Sequence, residues 1–139
     1  MTSEAPIVVV DASVVVKWFL TDDEDGVAEA AELLAEHAAS RARLVAPALL
    51  AHEVFGVFVR RLPRAEVQGA IDAFFDVDVH LIPADRLLLH DAAELVARRQ
   101  VAAFDSTYVA LAQVLDCELA TADRRLARTV GKSARLRVV

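Results

Sequence analysis

Asp11, Glu53, Asp105 and Asp123 each interrupt or end a segment that otherwise reads as buried. Asp11 closes the run Ile7-Val8-Val9-Val10, and Glu53 lies inside Leu49-Leu50-Ala51-His52-Glu53-Val54-Phe55. Asp105 sits at the head of Phe104-Asp105-Ser106-Thr107-Tyr108-Val109-Ala110-Leu111-Ala112, and Asp123 follows Leu119-Ala120-Thr121-Ala122. Carboxylates are rarely buried without a partner, because taking the ion out of water is costly. No basic residue recurs at a spacing that would neutralise this set. A divalent cation would do so, and carboxylate oxygens suit Mg2+ or Mn2+. Hydrolysis of a phosphodiester needs an activated water and stabilisation of a transition state with added negative charge. Cations held by clustered carboxylates meet both needs. Thr121 and Ser13 add hydroxyls that can orient carboxylates or water.

Each acid also has a plainer reading. Asp11, Asp105 and Asp123 all stand where a helix could begin, and Asp is a favoured N-cap. Glu53 falls in mid-helix, where the plain alternative is an ion pair with Arg60 or Arg61, or exposure to solvent. Capping and catalysis do not exclude one another. Cys117 is the only cysteine. It reads as a small packed hydrophobe at the opening of a strand, without the thiolate partners of a zinc site. The histidines at 37, 52, 80 and 90 show no metal-ligand spacing.

Net charge is −6, which disfavours indiscriminate nucleic-acid binding. The distribution is uneven. Asp22, Asp23, Glu24, Asp25, Glu29, Glu32 and Glu36 make the early chain acidic, which reads as a solvated face. Arg124, Arg125, Arg128, Lys132, Arg135 and Arg137 make the end basic. That stretch begins beside Asp123, a placement that suits a polyanionic substrate held next to metal, with Arg124, Arg125 and Arg128 as phosphate contacts.

The elements that must position these groups alternate. Strands are expected at 7–10, 43–45, 77–82, 118–120 and 136–139. Helices are expected at 13–20, 23–39, 48–61, 64–76, 86–100, 104–116 and 123–130. All-apolar strands alternating with helices predict an α/β fold of three layers, α/β/α, around a central parallel sheet of about four to five strands. In such sheets ligands bind off the carboxyl ends of the strands, where Asp11 and Asp123 would lie. The 139 residues, 56% hydrophobic with few Gly and Pro, fit a single domain over 1–139. No apolar run is long enough to span a bilayer, and Met1-Thr2-Ser3-Glu4 lacks the positive start of a signal peptide. A cytoplasmic location is expected. The helix at 48–61 is apolar on nearly every side, through Leu49, Leu50, Val54, Phe55, Val57, Phe58 and Val59, and Phe74 and Phe75 extend the patch. One core face cannot use all of these, so part is expected to meet another surface.

Four stretches together resemble the PIN domain family, and within it the VapC-type ribonuclease toxins. They are Val9-Val10-Asp11-Ala12-Ser13-Val14 with Lys17-Trp18-Phe19, Pro47 through Glu53 and on to Arg60-Arg61, Asp105 with Tyr108-Val109-Ala110-Leu111-Ala112, and Thr121-Ala122-Asp123-Arg124-Arg125-Leu126. They span about residues 7–126. The resemblance implies a site of four acids, Asp11, Glu53, Asp105 and Asp123, holding Mg2+ or Mn2+, with Thr121 at the hydroxyl position. It implies cleavage of single-stranded RNA as the toxin of a toxin–antitoxin pair, homodimerisation, and a small antitoxin that blocks the site within a larger complex. Ser106 departs from the Ala commoner after the third acid. Arg124, Arg125 and Arg128 occupy the region where some relatives carry a further acid, which counts against a full second metal site. Other readings stay open. One is a phosphoryl-transfer protein of another α/β class, although a haloacid-dehalogenase-type phosphatase would want Asp at the position of Ser13. Another is a non-catalytic binding module with an acidic pocket.

Overall fold

Four consecutive β-branched residues start the first strand, β1 (Ile7–Val10), and Val8, Val9 and Val10 are fully buried. A strand apolar on both faces belongs in the middle of a parallel sheet. It is flanked by β2 (Arg43–Pro47) and β4 (Glu118–Thr121), with β3 (His80–Ile82) and β5 (Arg135–Val138) at the edges. The order is β3-β2-β1-β4-β5 and every pairing is parallel. The structure is a computed structural model that describes residues 4–22 and 25–139.

The connections are helical: α1 (Ala12–Phe19), α2 (Val27–Ala38), α3 (Leu49–Arg61), α4 (Arg64–Val77), α5 (Arg86–Arg99), α6 (Ala103–Val114) and α7 (Arg124–Val130), then a short 3-10 turn at Gly131–Ser133. The chain steps from β1 outward through β2 to β3, then returns across the sheet to β4 and β5. With right-handed crossovers this reversal puts α1 to α4 on one face and α5 to α7 on the other. The packing agrees, since α1 meets α2 and α3, α3 meets α4, and α5 lies along α6. Helix α6 crosses β1, β2 and β4, and is buried without a break from Ser106 to Ala112. The reversal falls between β1 and β4, and open α/β sheets bind ligands at the carboxyl ends of such a pair.

Several boundaries differ from those expected, most by one or two residues; β2, for example, runs on to Pro47. The strand placed at 77–82 is only His80–Ile82, because α4 continues to Val77 and Asp78 closes it in the left-handed region at φ 63°. The alternation of Val77, Val79 and Leu81 is shared between a helix end and a strand start. The helix placed at 23–39 begins at Val27, behind Gly26 at φ 75°, and Asp23 and Glu24 lie outside the described residues. The helix placed at 104–116 ends at Val114, with Asp116 turning left-handed at φ 50° to enter β4. Among the described residues no helix is long and apolar enough to cross a membrane.

Candidate active site

Asp11 follows β1 directly and caps α1, accepting from the Val14 N–H at 3.4 Å and from the Ser13 hydroxyl. It is only 6% exposed. Burial pushes its acid up from 3.8 to about 6, although Ser13, Thr121 and the Val14 N–H all favour the anion; the charge of Asp105 adds to the rise. The neighbouring strand end mirrors this arrangement. Asp123 caps α7 by accepting from the Leu126 N–H at 3.1 Å. The Asp123 N–H in turn donates to the buried Thr121 hydroxyl at 3.0 Å. Ser13 joins the two loops, since its oxygen accepts from the Ala122 N–H at 2.8 Å while its proton goes to Asp11. The plain capping reading therefore holds for Asp11 and Asp123, and each cap places its carboxylate at the carboxyl end of β1 or β4.

Asp105 is different. The N-cap of α6 is Ala102, which makes no side-chain cap, and Asp105 stands in the first helical turn. It is half-buried, and its acid is raised by burial first and then by the charge of Asp123. A carboxylate there gains from the helix dipole without being used up as a cap. Glu53, in mid α3, is also half-buried and accepts a hydrogen bond of 2.6 Å from the Tyr108 hydroxyl. Burial raises its acid, Tyr108 opposes the rise, and the charge of Asp105 adds to it. The plain alternatives for Glu53 are not what the described residues show: Arg61 pairs with Asp22 at 2.8 Å, no ion pair joins Glu53 to Arg60, and Glu53 is half-buried rather than exposed. Asp105 is thus the electrostatic hub, within reach of Asp11, Glu53 and Asp123. Among the described residues none of these four carboxylates is ion-paired with Lys, Arg or His.

That donor set suits a hard divalent cation. It consists of oxygens only, it is short of positive charge, and in Asp11 it includes a carboxylate that burial alone disfavours as an ion. As the side chains stand, no three His, Cys, Asp or Glu among the described residues lie close enough to enclose one ion. A cation would have to draw the carboxylates inward.

Two openings reach the acids. One, of about 570 Å³, is lined by Glu53, Arg60, His52 and Phe104 among others. The other, of about 240 Å³, is lined by Asp105, Asp123, Arg125 and Thr129 among others. Arg124, Arg125 and Arg128 are all exposed, but only Arg125 borders this second opening. The rest of the basic stretch divides. Arg137 pairs with Glu118 at 3.0 Å and with Glu36 at 3.5 Å, and Arg135 pairs with Asp116. Two residues at the site, Tyr108 and Phe104, were not singled out as site residues by the sequence. Tyr108 lies one turn after Asp105, a spacing that puts both on one helix face. Phe104 is the apolar residue before the acid, and nothing in its position marks it as exposed. Away from the acids, Phe55, Val59 and Phe75 are exposed, and an apolar groove of about 290 Å³ between α3 and α4 is lined by Val54, Phe55, Phe58, Ile71, Phe74 and Phe75.

The sequence profile of the PIN domain family matches residues 8–132. The chain belongs to the PIN domain family. Several solved structures share this PIN fold at low identity. VapBC2 from Rickettsia felis, bound to a DNA fragment from its promoter, is 14% identical with a TM-score of 0.72, over 96% of this chain and 98% of that one. VapC20 of Mycobacterium tuberculosis, described as a toxin that cleaves the sarcin-ricin loop, is 17% identical with a TM-score of 0.71, over 92% and 98%. PAE2754 from Pyrobaculum aerophilum is 19% identical with a TM-score of 0.66, over 95% and 91%. No curated protein matches the chain in sequence.

Proposed function

We propose that this PIN domain is a Mg2+- or Mn2+-dependent endoribonuclease, and that it acts as the toxin of a type II toxin–antitoxin pair. The observation that carries the reading is the set of carboxylates, not ion-paired among the described residues, whose charges act on one another around Asp105 beside the β1–β4 reversal. Asp11, Glu53, Asp105 and Asp123 would hold the cation, which when bound supplies a nucleophilic water and charge stabilisation for phosphodiester hydrolysis. Thr121 orients the pair of strand-end acids, accepting from the Asp123 backbone while opposing the rise in the Asp11 acid. Arg125, with Arg124 and Arg128 on the same exposed helix, contacts substrate phosphates. The VapC20 and VapBC2 structures support the toxin assignment by fold.

The antitoxin would lay an apolar segment in the groove between α3 and α4 and place an arginine among the carboxylates. Its planar fork can bond two of them and replace the cation's charge. Exposed Val59, outside that groove, leaves further apolar surface on α3 for a homodimer. Incubation of the purified chain with single-stranded RNA in Mg2+ or Mn2+, with and without chelator, tests the activity. Cleavage that stops in chelator and in Asp105→Asn, with folding intact, is expected. Full cleavage in chelator would refute the metal, and no cleavage with either ion would refute the nuclease. Light scattering on the isolated chain at micromolar concentration should give a dimer; a clean monomer would remove that part of the proposal.

A further inference from the structure

Phe104 is 64% exposed, although it stands in the first turn of a helix that is buried from Ser106 to Ala112. Leaving a phenyl ring in water forgoes the stabilisation that burial would contribute. The ring is not part of the core and is not covered by any described segment. It lines the same opening as Glu53 and Arg60, while its immediate neighbour Asp105 lines the opening shared with Asp123 and Arg125. Two successive residues of one helix thus border two openings, each with a carboxylate and an arginine, and the carboxylate hub lies at the junction. An elongated anion crossing that junction would meet Arg60 on one side and Arg125 on the other. Between them it would pass an exposed aromatic face.

A polyanion with flat apolar rings spaced along it matches this arrangement, which is the chemistry of unpaired nucleotides. We propose that Phe104 is a stacking platform for one unpaired base of single-stranded RNA, next to the phosphate addressed by the acids, with the strand running from the Arg60 side to the Arg125 side. This rests on the nuclease reading and deepens it to a substrate requirement. The nucleotide on the ring must be unpaired, because a base inside a duplex has no free face to offer. Stacking of this kind tolerates any base, so Phe104 sets strandedness and register rather than sequence.

Binding measured in chelator separates this proposal from cleavage. The probe is a set of short single-stranded RNAs, each with one abasic position. Alanine substitution of a stacking aromatic costs roughly 5- to 150-fold per base. Phe104→Ala is expected to weaken intact RNA binding by about tenfold or more with its melting temperature unchanged. One abasic position should cost the wild type a similar factor and cost Phe104→Ala nothing further, because the same contact is lost only once. Phe104→Trp should restore binding, and its indole fluorescence should be quenched by RNA, judged against the wild type with Trp18 alone. The salt slope of binding should stay unchanged in Phe104→Ala and fall in Arg60→Ala. Unchanged affinity in Phe104→Ala, or losses that add between that variant and every abasic position, would overturn the platform. Quenching without any cleavage in metal would uphold the platform and overturn the nuclease reading alone.

Discussion

Asp11 is held where an anion is costly, and that cost is the clearest sign of its function. Its acid rises from 3.8 to about 6 because it is buried. At 1.36 kcal/mol per pH unit this corresponds to about 3 kcal/mol. The folded chain binds this proton more tightly than the unfolded chain does. The stability it contributes is therefore full below about pH 4 and is lost as pH rises through about 6. Asn can keep the cap and the Ser13 bond without the charge. Asp11→Asn is thus expected to melt higher than the wild type in chelator at pH 7.5, by up to about 3 kcal/mol. The gap should close as pH falls toward 4, and Mg2+ or Mn2+ should stabilise the wild type far more than the variant. A melting curve in chelator that puts the variant below the wild type at pH 7.5 would contradict this account. Tyr108 supports Glu53 through a bond of 2.6 Å. Tyr108→Phe leaves packing nearly unchanged and frees that carboxylate to turn away. Loss of such an orienting partner typically costs 10- to 100-fold, and a drop of roughly that size in kcat/KM is expected at unchanged fold. Activity within twofold of the wild type would show that Glu53 needs no support. The acids were legible in the sequence because each breaks an apolar run. Tyr108 was not, because its partner lies 55 residues away and only tertiary packing brings them together.

At the scale of elements, legibility follows burial. Strand β1 and the Ser106–Ala112 stretch of α6 are buried, and the runs Ile7–Val10 and Tyr108–Ala112 read as apolar, so their existence and order were plain. The edges were not. Strand β3 keeps only His80–Ile82, and the helix before it takes Val77. The groups that settle that junction come from far along the chain. His37, near the end of α2, faces the Val77 carbonyl with Nε2 at 2.9 Å and the Leu44 N–H with Nδ1 at 3.2 Å. A carbonyl can only accept and an N–H can only donate, so Nε2 carries the proton and the ring is the neutral tautomer. One side chain thereby fastens the end of α4 to the start of β2. His37→Ala would leave both backbone groups without this partner. A stability loss of about 1–3 kcal/mol is expected in urea denaturation, with RNA cleavage per folded molecule unchanged, since His37 lines an opening at the sheet edge opposite the carboxyl ends. A stability change below about 0.5 kcal/mol would mean that water takes over both bonds.

For the whole molecule, charge poses the sharper question. A chain of net charge −6 repels RNA at a distance, so attraction depends on where its cations are free to act. The basic end of the sequence looked like one continuous patch, but folding divides it. Arg135 and Arg137 are spent on Asp116, Glu118 and Glu36, acids that lie far from them in sequence or in a different element. Arg124, Arg125 and Arg128 remain exposed on α7 and are not ion-paired among the described residues. Each phosphate contact on a single strand contributes about 0.7 to the slope of log K against log salt. Removing all of them as Arg124→Ala, Arg125→Ala and Arg128→Ala should lower that slope by up to about 2, and Arg125→Ala alone should account for much of the affinity loss because it borders the acids. Arg135→Ala should leave the slope unchanged, since it removes a charge already neutralised within the fold. Titrations of a fluorescent single-stranded RNA in chelator, from low to high salt, distinguish the outcomes. An unchanged slope in the triple variant would make α7 an ordinary solvated face, and the strand would then have to enter by the Arg60 side alone.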